Sequence, residues 1–156
     1  MKSAPATLEK RIERLEDLEA IRYLVNRYHT AINEHDYESI LPLFTEHAVV
    51  ILVDDPPLHG HKEIEAGFLR RLGRLKIIKQ FIHGLQIDLD DDAAKAYCYL
   101  DARYARHNDP SSYVIAGKLL YSFVKQDGAW LMDRYQVTLF FVVPLTEGWS
   151  GDKLMY

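Results

Sequence analysis

The sequence has little of what marks a secreted, membrane-spanning or nucleic-acid-binding protein. It has one cysteine, Cys98, which cannot form an internal disulfide, as is usual in the reducing cytoplasm. No apolar run approaches the roughly 20 residues of a membrane span, and the N-terminus has no apolar signal-peptide core. Nineteen Lys and Arg against 23 Asp and Glu give a net charge of −4 and no basic footprint for nucleic acid. We therefore expect a cytoplasmic protein that binds neither nucleic acid nor membranes.

The composition that remains is that of one folded domain. Hydrophobic residues make up 48% of the 156 residues and charged residues 27%, which excludes wholesale disorder. The length suits a single domain over residues 1–156, with no repeat or linker. Ten Tyr, six Phe and two Trp predict a core or cavity lined with rings, some of which carry a hydroxyl group.

Hydrophobic periodicity predicts helices first and long strands afterwards. Apolar residues at spacings of three and four predict a helix from Leu8 to Ile32, with Thr7 as its N-cap. A short helix is predicted at 37–44, another helix at 62–72, and strands at 48–53, 76–89, 93–105, 113–125 and 129–143. This order predicts an α+β fold, in which helices pack on one face of a curved, mostly antiparallel sheet and a pocket lies between them. The strands in 113–143 are expected to serve dimerisation.

Several short segments resemble the SnoaL-like branch of the nuclear-transport-factor-2-like superfamily. They include Ala20-Ile21-Arg22, Leu43-Phe44-Thr45-Glu46-His47-Ala48-Val49 and Asp127-Gly128-Ala129-Trp130, and their order and spacing also match. The resemblance implies a cone-shaped barrel with a deep hydrophobic pocket, in a protein that is usually dimeric. Many members are cofactor-free enzymes that move protons on hydrophobic, often polycyclic substrates, whereas others only bind ligands or partners.

The resemblance also implies an acid/base pair that this sequence lacks. Dehydratase-like members place an Asp near the end of the first helix and a His at the start of the first long strand; here these positions are Asn33 and Gln80. Because an amide has no titratable proton near neutral pH, these two residues can orient a substrate but cannot replace the pair. Tyr28 matches a functional tyrosine of several relatives and could polarise a substrate oxygen. The alternative is a core tyrosine bonded to a carbonyl.

Asp101 is the first candidate proton carrier. It matches a position at which some relatives have an acid/base residue, and strand alternation places it on one face with Tyr99 and Arg103, which could contact a substrate. A carboxylate among tyrosines in a dry pocket is a plausible general base. The alternative is a solvated strand face on which Asp101 pairs with Arg103.

His83 is the second candidate. Simple alternation turns it to the face opposite Gln80, unless a bulge at Gly84 restores its direction, in which case His83 and Asp101 would form a relocated pair. The alternative is an exposed or core histidine. His29 and His35, near the end of the first helix, are predicted to be solvated.

No cofactor or metal is predicted. His59-Gly60-His61 has no further ligands at zinc-like spacing, and there is no glycine-rich phosphate loop. The segment 144–156, with Trp149 and Tyr156, receives no assignment beyond that of a lid or a contact with a neighbouring subunit.

Two hypotheses follow for function. The first is a small cofactor-independent lyase or isomerase (a dehydratase, isomerase or cyclase) acting on a hydrophobic, oxygenated ring compound. Asp101 or His83 would move the proton, and Tyr28 would polarise an oxygen. The second is a non-catalytic module of the same fold that binds a hydrophobic ligand or dimerises, because both positions of the acid/base pair hold amides. In either case the expected partners are a small hydrophobic molecule and a second copy of the chain.

Overall fold

The computed structural model describes residues 7–146. In this range two helices, α1 (Leu8–Glu34) and α2 (Gly60–Leu72), accompany six strands. Two short 3-10 helices, Tyr37–Ser39 and Leu41–Leu43, lead from α1 into the sheet. The strands are β1 (Phe44–Ile51), β2 (Leu58–His59), β3 (Leu75–Asp90), β4 (Ala93–Arg106), β5 (Ser112–Gln126) and β6 (Ala129–Pro144).

The sheet has the order β2-β1-β6-β5-β4-β3. Neighbouring strands are antiparallel except for β1 and β6, which are parallel. The connection between these two strands is long and includes α2, β3, β4 and β5. The predicted α+β class with helices on a curved sheet is confirmed. The sheet is mixed and unclosed, with β2 and β3 at its edges, so it is a curved open sheet rather than a complete barrel.

Helix α1 has the predicted start and a well-defined end. The Thr7 side chain accepts a hydrogen bond from the Lys10 backbone N–H at 3.3 Å, and His35 closes the helix with a left-handed φ of 58°. The buried stripe starts only at Ile21; Leu8 and Leu15 are 69% and 65% exposed. Apolar packing of α1 against the core therefore starts at the partly buried Leu18 and involves mainly the second half of the helix.

Strand β4 alternates between a buried and an exposed face. Its inward side chains are buried and mostly small, whereas the alternating positions Tyr97 and Tyr99 are exposed on the outer face. The inward set is Ala94, Ala96, Cys98, Leu100 and Ala102. No helix within 7–146 is long and apolar enough to span a membrane.

Candidate functional site

A cavity of about 690 Å³ lies between the sheet and the helices. Most of its wall is apolar, with Ile32, Phe68, Ile78, Leu100 and Ile115 among the lining residues. Its uncharged polar lining consists of Tyr28, Gln80, Tyr104 and Tyr135. Its charged lining, which is exposed or only half-buried and so marks the mouth, consists of Asp54, Asp55, Arg70, Arg71, Arg74 and Arg106. An apolar cavity with few polar groups is typical of a small-molecule site.

Two buried tyrosines form the polar pair of the inner cavity wall. Tyr28 from α1 and Tyr135 from β6 are each 2% exposed, and their ring centroids lie 5.0 Å apart. Burial raises the pKa of both phenols, and their hydroxyl groups form a hydrogen bond with each other. Both groups are therefore neutral near pH 7, and one of their two hydroxyl protons remains available to an oxygen of a ligand.

His29 is buried, contrary to the solvated position predicted for it. It is 5% exposed; its Nδ1 lies 2.7 Å from Gln80 Oε1 and its Nε2 lies 2.9 Å from the Tyr121 hydroxyl. Desolvation lowers the pKa of His29 to about 4, although the hydrogen bond with Gln80 acts in the opposite direction. The ring is therefore neutral near pH 7. Its burial could have been predicted from helical spacing, since His29 follows Val25 by four residues and precedes Ile32 by three, which places all three on the same face of α1.

The neutral ring of His29 orients the Gln80 amide. In the assigned orientation Nδ1–H of His29 donates to Gln80 Oε1, and Nε2 accepts from the Tyr121 hydroxyl. The Gln80 NH₂ group is then left as a donor at the cavity wall, which Gln80 lines. The Gln80 side chain therefore presents this donor to the cavity, and His29 holds its amide oxygen.

Asn33 does not line the cavity; it holds Gln80 by the backbone. Its Nδ2 donates to the Gln80 carbonyl at 2.9 Å, and its Oδ1 accepts from the Gln80 backbone N–H at 2.7 Å. Lys79 adds a bond from Nζ to the Asn33 carbonyl. Because β3 is an edge strand, its free backbone groups need partners, and the Asn33 amide pairs with them much as a neighbouring strand would. Asn33 is therefore placed to position Gln80 rather than to contact a ligand.

The candidate proton carriers lie on the outer face of the sheet, away from the cavity. Asp101 pairs with Arg103 at 3.4 Å, and their side chains are 40% and 53% exposed. Tyr99 is exposed and stands opposite His83 in the register of β3 and β4. This geometry matches the alternative of a solvated Asp–Arg pair, because alternation that buries Leu100 and Ala102 must turn Asp101 outward.

The bulge predicted at Gly84 exists but does not turn His83 inward. Gly84 has φ of 64°, and the register of β3 shifts between His83 and Gln86. Because the shift follows His83, this residue keeps the parity of Phe81 and stays exposed opposite Tyr99, on the face away from Gln80. The structure thus brings His83 and Asp101 to one face, without a hydrogen bond between them in the described range.

The remaining histidines have local partners. His61 Nε2 lies 3.0 Å from the Phe44 carbonyl oxygen, and His35 Nδ1 lies 2.6 Å from the Tyr37 hydroxyl. Across residues 7–146, no group of three or more His, Cys, Asp or Glu side chains is placed to hold a metal ion. Trp149 and Tyr156 lie outside the described residues.

The SnoaL-like domain family matches residues 13–136, and the chain belongs to that family. Three solved structures share the fold. A candidate aromatic ring hydroxylase from Novosphingobium aromaticivorans has 20% identity and a TM-score of 0.77, over 83% of this chain and 94% of that one. A candidate scytalone dehydratase from the same species has 17% identity and a TM-score of 0.77, over 83% and 88%.

The third is the hexachlorocyclohexane dehydrochlorinase LinA-type3 from Novosphingobium barchaimii, with 13% identity and a TM-score of 0.80 over 88% of this chain and 96% of that one. No curated protein sequence matches this chain. At these identities the likeness establishes the fold, and function has to be argued from the site.

The depressed pKa of His29 predicts a loss of stability in acid. The unfolded histidine binds a proton near its usual pKa of 6.5, whereas the folded one does so near 4. Between these values the unfolded state binds more protons, so the free energy of unfolding falls as pH falls. From pH 7 to 4.5 we expect wild type to lose about 2 kcal/mol more than His29→Gln, as measured by urea denaturation.

The matched control is His35→Gln, which removes an exposed histidine from the same helix end and should follow wild type. Identical pH dependence of wild type and His29→Gln would contradict the neutral, buried ring.

The two hydrogen bonds between the Asn33 side chain and the Gln80 backbone, which we call the Asn33 clamp, predict that an aspartate at position 33 destabilises the protein at neutral pH. In Asn33→Asp a carboxylate would face the Gln80 carbonyl oxygen and could not donate to it. We expect a loss of about 1–3 kcal/mol in the free energy of unfolding at pH 7, measured by urea denaturation. The loss should shrink in acid, where the protonated carboxyl can donate. Asn26→Asp, at an exposed position of α1, is the control, and an equal effect in both variants would argue against the clamp.

Proposed function

We propose that this protein binds a hydrophobic, ring-containing compound in the cavity and hydrogen-bonds to an oxygen atom of that compound. The observation that supports this is the composition of the wall: it is apolar, and its inner polar groups are neutral phenols and an amide. Apolar surface drives entry of the ring, and a few placed donors fix its orientation.

The donors favour a ligand with a carbonyl, ether or hydroxyl oxygen. Tyr28 and Tyr135 share one hydrogen bond, which leaves one hydroxyl proton for a ligand, and the Gln80 amide is oriented from behind by His29. An apolar group placed against such desolvated donors weakens binding, because the donors are then left without a hydrogen-bond partner. The proposed site therefore discriminates between an oxygenated ring and the corresponding hydrocarbon.

A lyase or isomerase reaction is the second candidate. The family and the dehydrochlorinase among the structural neighbours support this reaction class. The hydroxyl groups of Tyr28 and Tyr135 also support it, because such donors stabilise a developing oxyanion. The reaction also needs a base. Within residues 7–146 the carboxylates that line the cavity are Asp54 and Asp55 at the mouth; Asp55 is paired with arginines, which leaves Asp54 as the candidate.

The binding proposal is tested with 1-tetralone and tetralin, which share two fused rings and differ in the carbonyl oxygen. We expect wild type to bind the ketone more tightly, and Tyr135→Phe to weaken ketone binding by about five- to tenfold with no change for the hydrocarbon. Isothermal titration calorimetry measures both. Tyr99→Phe on the outer face is the control. Equal affinity of wild type and Tyr135→Phe for the ketone would contradict the proposed contact.

The same ketone separates binding from catalysis. Incubated in D₂O, 1-tetralone exchanges the protons next to its carbonyl only if a base removes them, and NMR detects this exchange. Exchange at the buffer rate supports a binding protein. Accelerated exchange that Asp54→Asn abolishes supports the lyase or isomerase alternative, with oxyanion stabilisation by the hydroxyl pair.

A further inference from the structure

The mouth of the cavity carries more positive than negative charge, although the protein as a whole has a net charge of −4. Four arginines line this region, Arg70, Arg71, Arg74 and Arg106, together with the two carboxylates of Asp54 and Asp55. The positive charge is thus concentrated at this opening, although the whole protein is negatively charged. A local excess of positive charge attracts anions to the mouth of the cavity.

Two of the arginines are already partly neutralised. Arg71 Nη1 lies 2.6 Å from Asp55 Oδ2 and also donates to the Val53 carbonyl, and Arg70 Nη2 lies 3.7 Å from Asp55 Oδ1. One carboxylate thus serves two guanidinium groups, and Arg71 is additionally held by a backbone bond. These contacts fasten α2 to the loop after β1, so we assign Arg70 and Arg71 a structural role.

Arg74 and Arg106 have no such partner in the described part of the chain. Their backbones lie close together at the end of the β3–β4 ladder, where Leu75 pairs with Arg106 and the His107 backbone N–H donates to the Arg74 carbonyl at 3.2 Å, and both side chains line the mouth. Neither makes an ion pair within residues 7–146. Two like charges at one opening repel each other unless an anion joins them.

The Arg106 guanidinium is held in place by aromatic rings. It lies 5.5 Å from the ring centroids of both Tyr104 and Tyr113, and these rings stack on each other at 5.0 Å. Tyr104 lines the cavity, so Arg106 stands next to the space that a ligand ring would occupy. Arg106 Nη2 also donates to the Tyr104 hydroxyl at 3.5 Å, so the two rings hold the guanidinium in place while its remaining N–H groups can reach another acceptor.

Within residues 7–146 the nearby carboxylates form no ion pair with these two arginines, although the Tyr113 hydrogen bond and, to a smaller extent, the charge of Arg106 lower the pKa of the Asp109 carboxyl. Asp109 accepts hydrogen bonds from the Tyr113 hydroxyl at 2.6 Å and the Ser111 backbone N–H at 2.8 Å, and it lies beyond ion-pair distance of Arg106. Asp54 is exposed and makes no ion pair within 7–146. The N–H groups of Arg74, and those of Arg106 that do not contact Tyr104, are thus available to solvent or to a ligand.

We propose that the ligand of this cavity is an aromatic or alicyclic carboxylic acid, with its ring in the apolar cavity and its carboxylate held at the mouth by Arg74 and Arg106. Paired guanidinium groups bind a carboxylate through several charge-assisted hydrogen bonds, which are shorter and stronger than neutral ones. This inference rests on the proposed binding function and adds the class of ligand.

The test compares 6-hydroxy-2-naphthoate with 6-hydroxy-2-naphthamide, which have the same rings, the same hydroxyl oxygen for the inner donors and nearly the same shape but differ in charge. By calorimetry at low salt, wild type should bind the carboxylate at least about tenfold more tightly than the amide, and added salt should reduce the difference. In the double variant Arg74→Gln/Arg106→Gln the preference should fall to less than about threefold, because carboxylate binding weakens much more than amide binding.

Two further variants complete the test. Arg22→Gln/Arg27→Gln removes two exposed arginines from α1 and so changes the net charge equally; it should keep the preference of wild type. Arg74→Lys/Arg106→Lys keeps the positive charge but loses the planar guanidinium groups that can form two parallel hydrogen bonds to a carboxylate. It should therefore retain part of the preference for the carboxylate over the amide. It also provides a folded comparison should the Gln variant melt at a lower temperature in circular dichroism.

The outcomes separate the two proposals. If wild type binds both compounds with equal affinity, or if the Gln double variant keeps the full preference, the carboxylate inference is overturned and the binding proposal stands. If the arginine variants and the α1 control lose the preference alike, general charge and not this site is responsible, which also overturns it. If neither compound binds wild type, both proposals fail.

Discussion

One side chain, Gln80, connects helix α1 to the edge of the sheet, and the cavity depends on that connection. Asn33 pairs with its backbone N–H and C=O, while His29 hydrogen-bonds its amide oxygen. Both partners come from the last two turns of α1, so the helix end and strand β3 are held at a fixed separation. Without these bonds the edge strand would expose unpaired backbone groups, and the wall that Gln80 contributes would have no defined orientation.

Burial determines what chemistry this wall can perform. A histidine and two tyrosines in a dry environment are all held in their neutral forms, because desolvation penalises their charged forms. The inner wall therefore offers hydrogen bonds and not formal charge, whereas the charged groups stand at the mouth, where water reaches them. A site with neutral donors inside and arginines at its opening is organised to orient an amphipathic ring compound, and this is the property on which both proposals are built.

Much of the fold could be predicted from the sequence because its elements are long and strongly patterned. The bounds of α1, α2 and β3 to β6 follow from apolar spacing and from the turn at Asp127-Gly128, and the structure agrees to within about two residues. The two-residue strand β2 and the parallel pairing of β1 with β6 were missed, because neither leaves a local signal in the sequence. The helix-covered curved sheet expected from the family is confirmed, and its edges β2 and β3 remain open.

The site was harder to predict. Strand alternation shows which side chains share a face of the sheet, but it does not show which face is exposed to solvent. Asp101 and Arg103 share a face as expected, and it is the outer one. His29 was missed because a polar residue near a helix end is usually exposed.

The most direct measurement is a crystal structure of the protein with bound 1-tetralone. The account predicts the ring in the cavity, with its oxygen about 2.7–3.2 Å from the Tyr135 hydroxyl or the Gln80 amide nitrogen. A ketone bound instead beside Asp101 and His83 on the outer face would contradict the account.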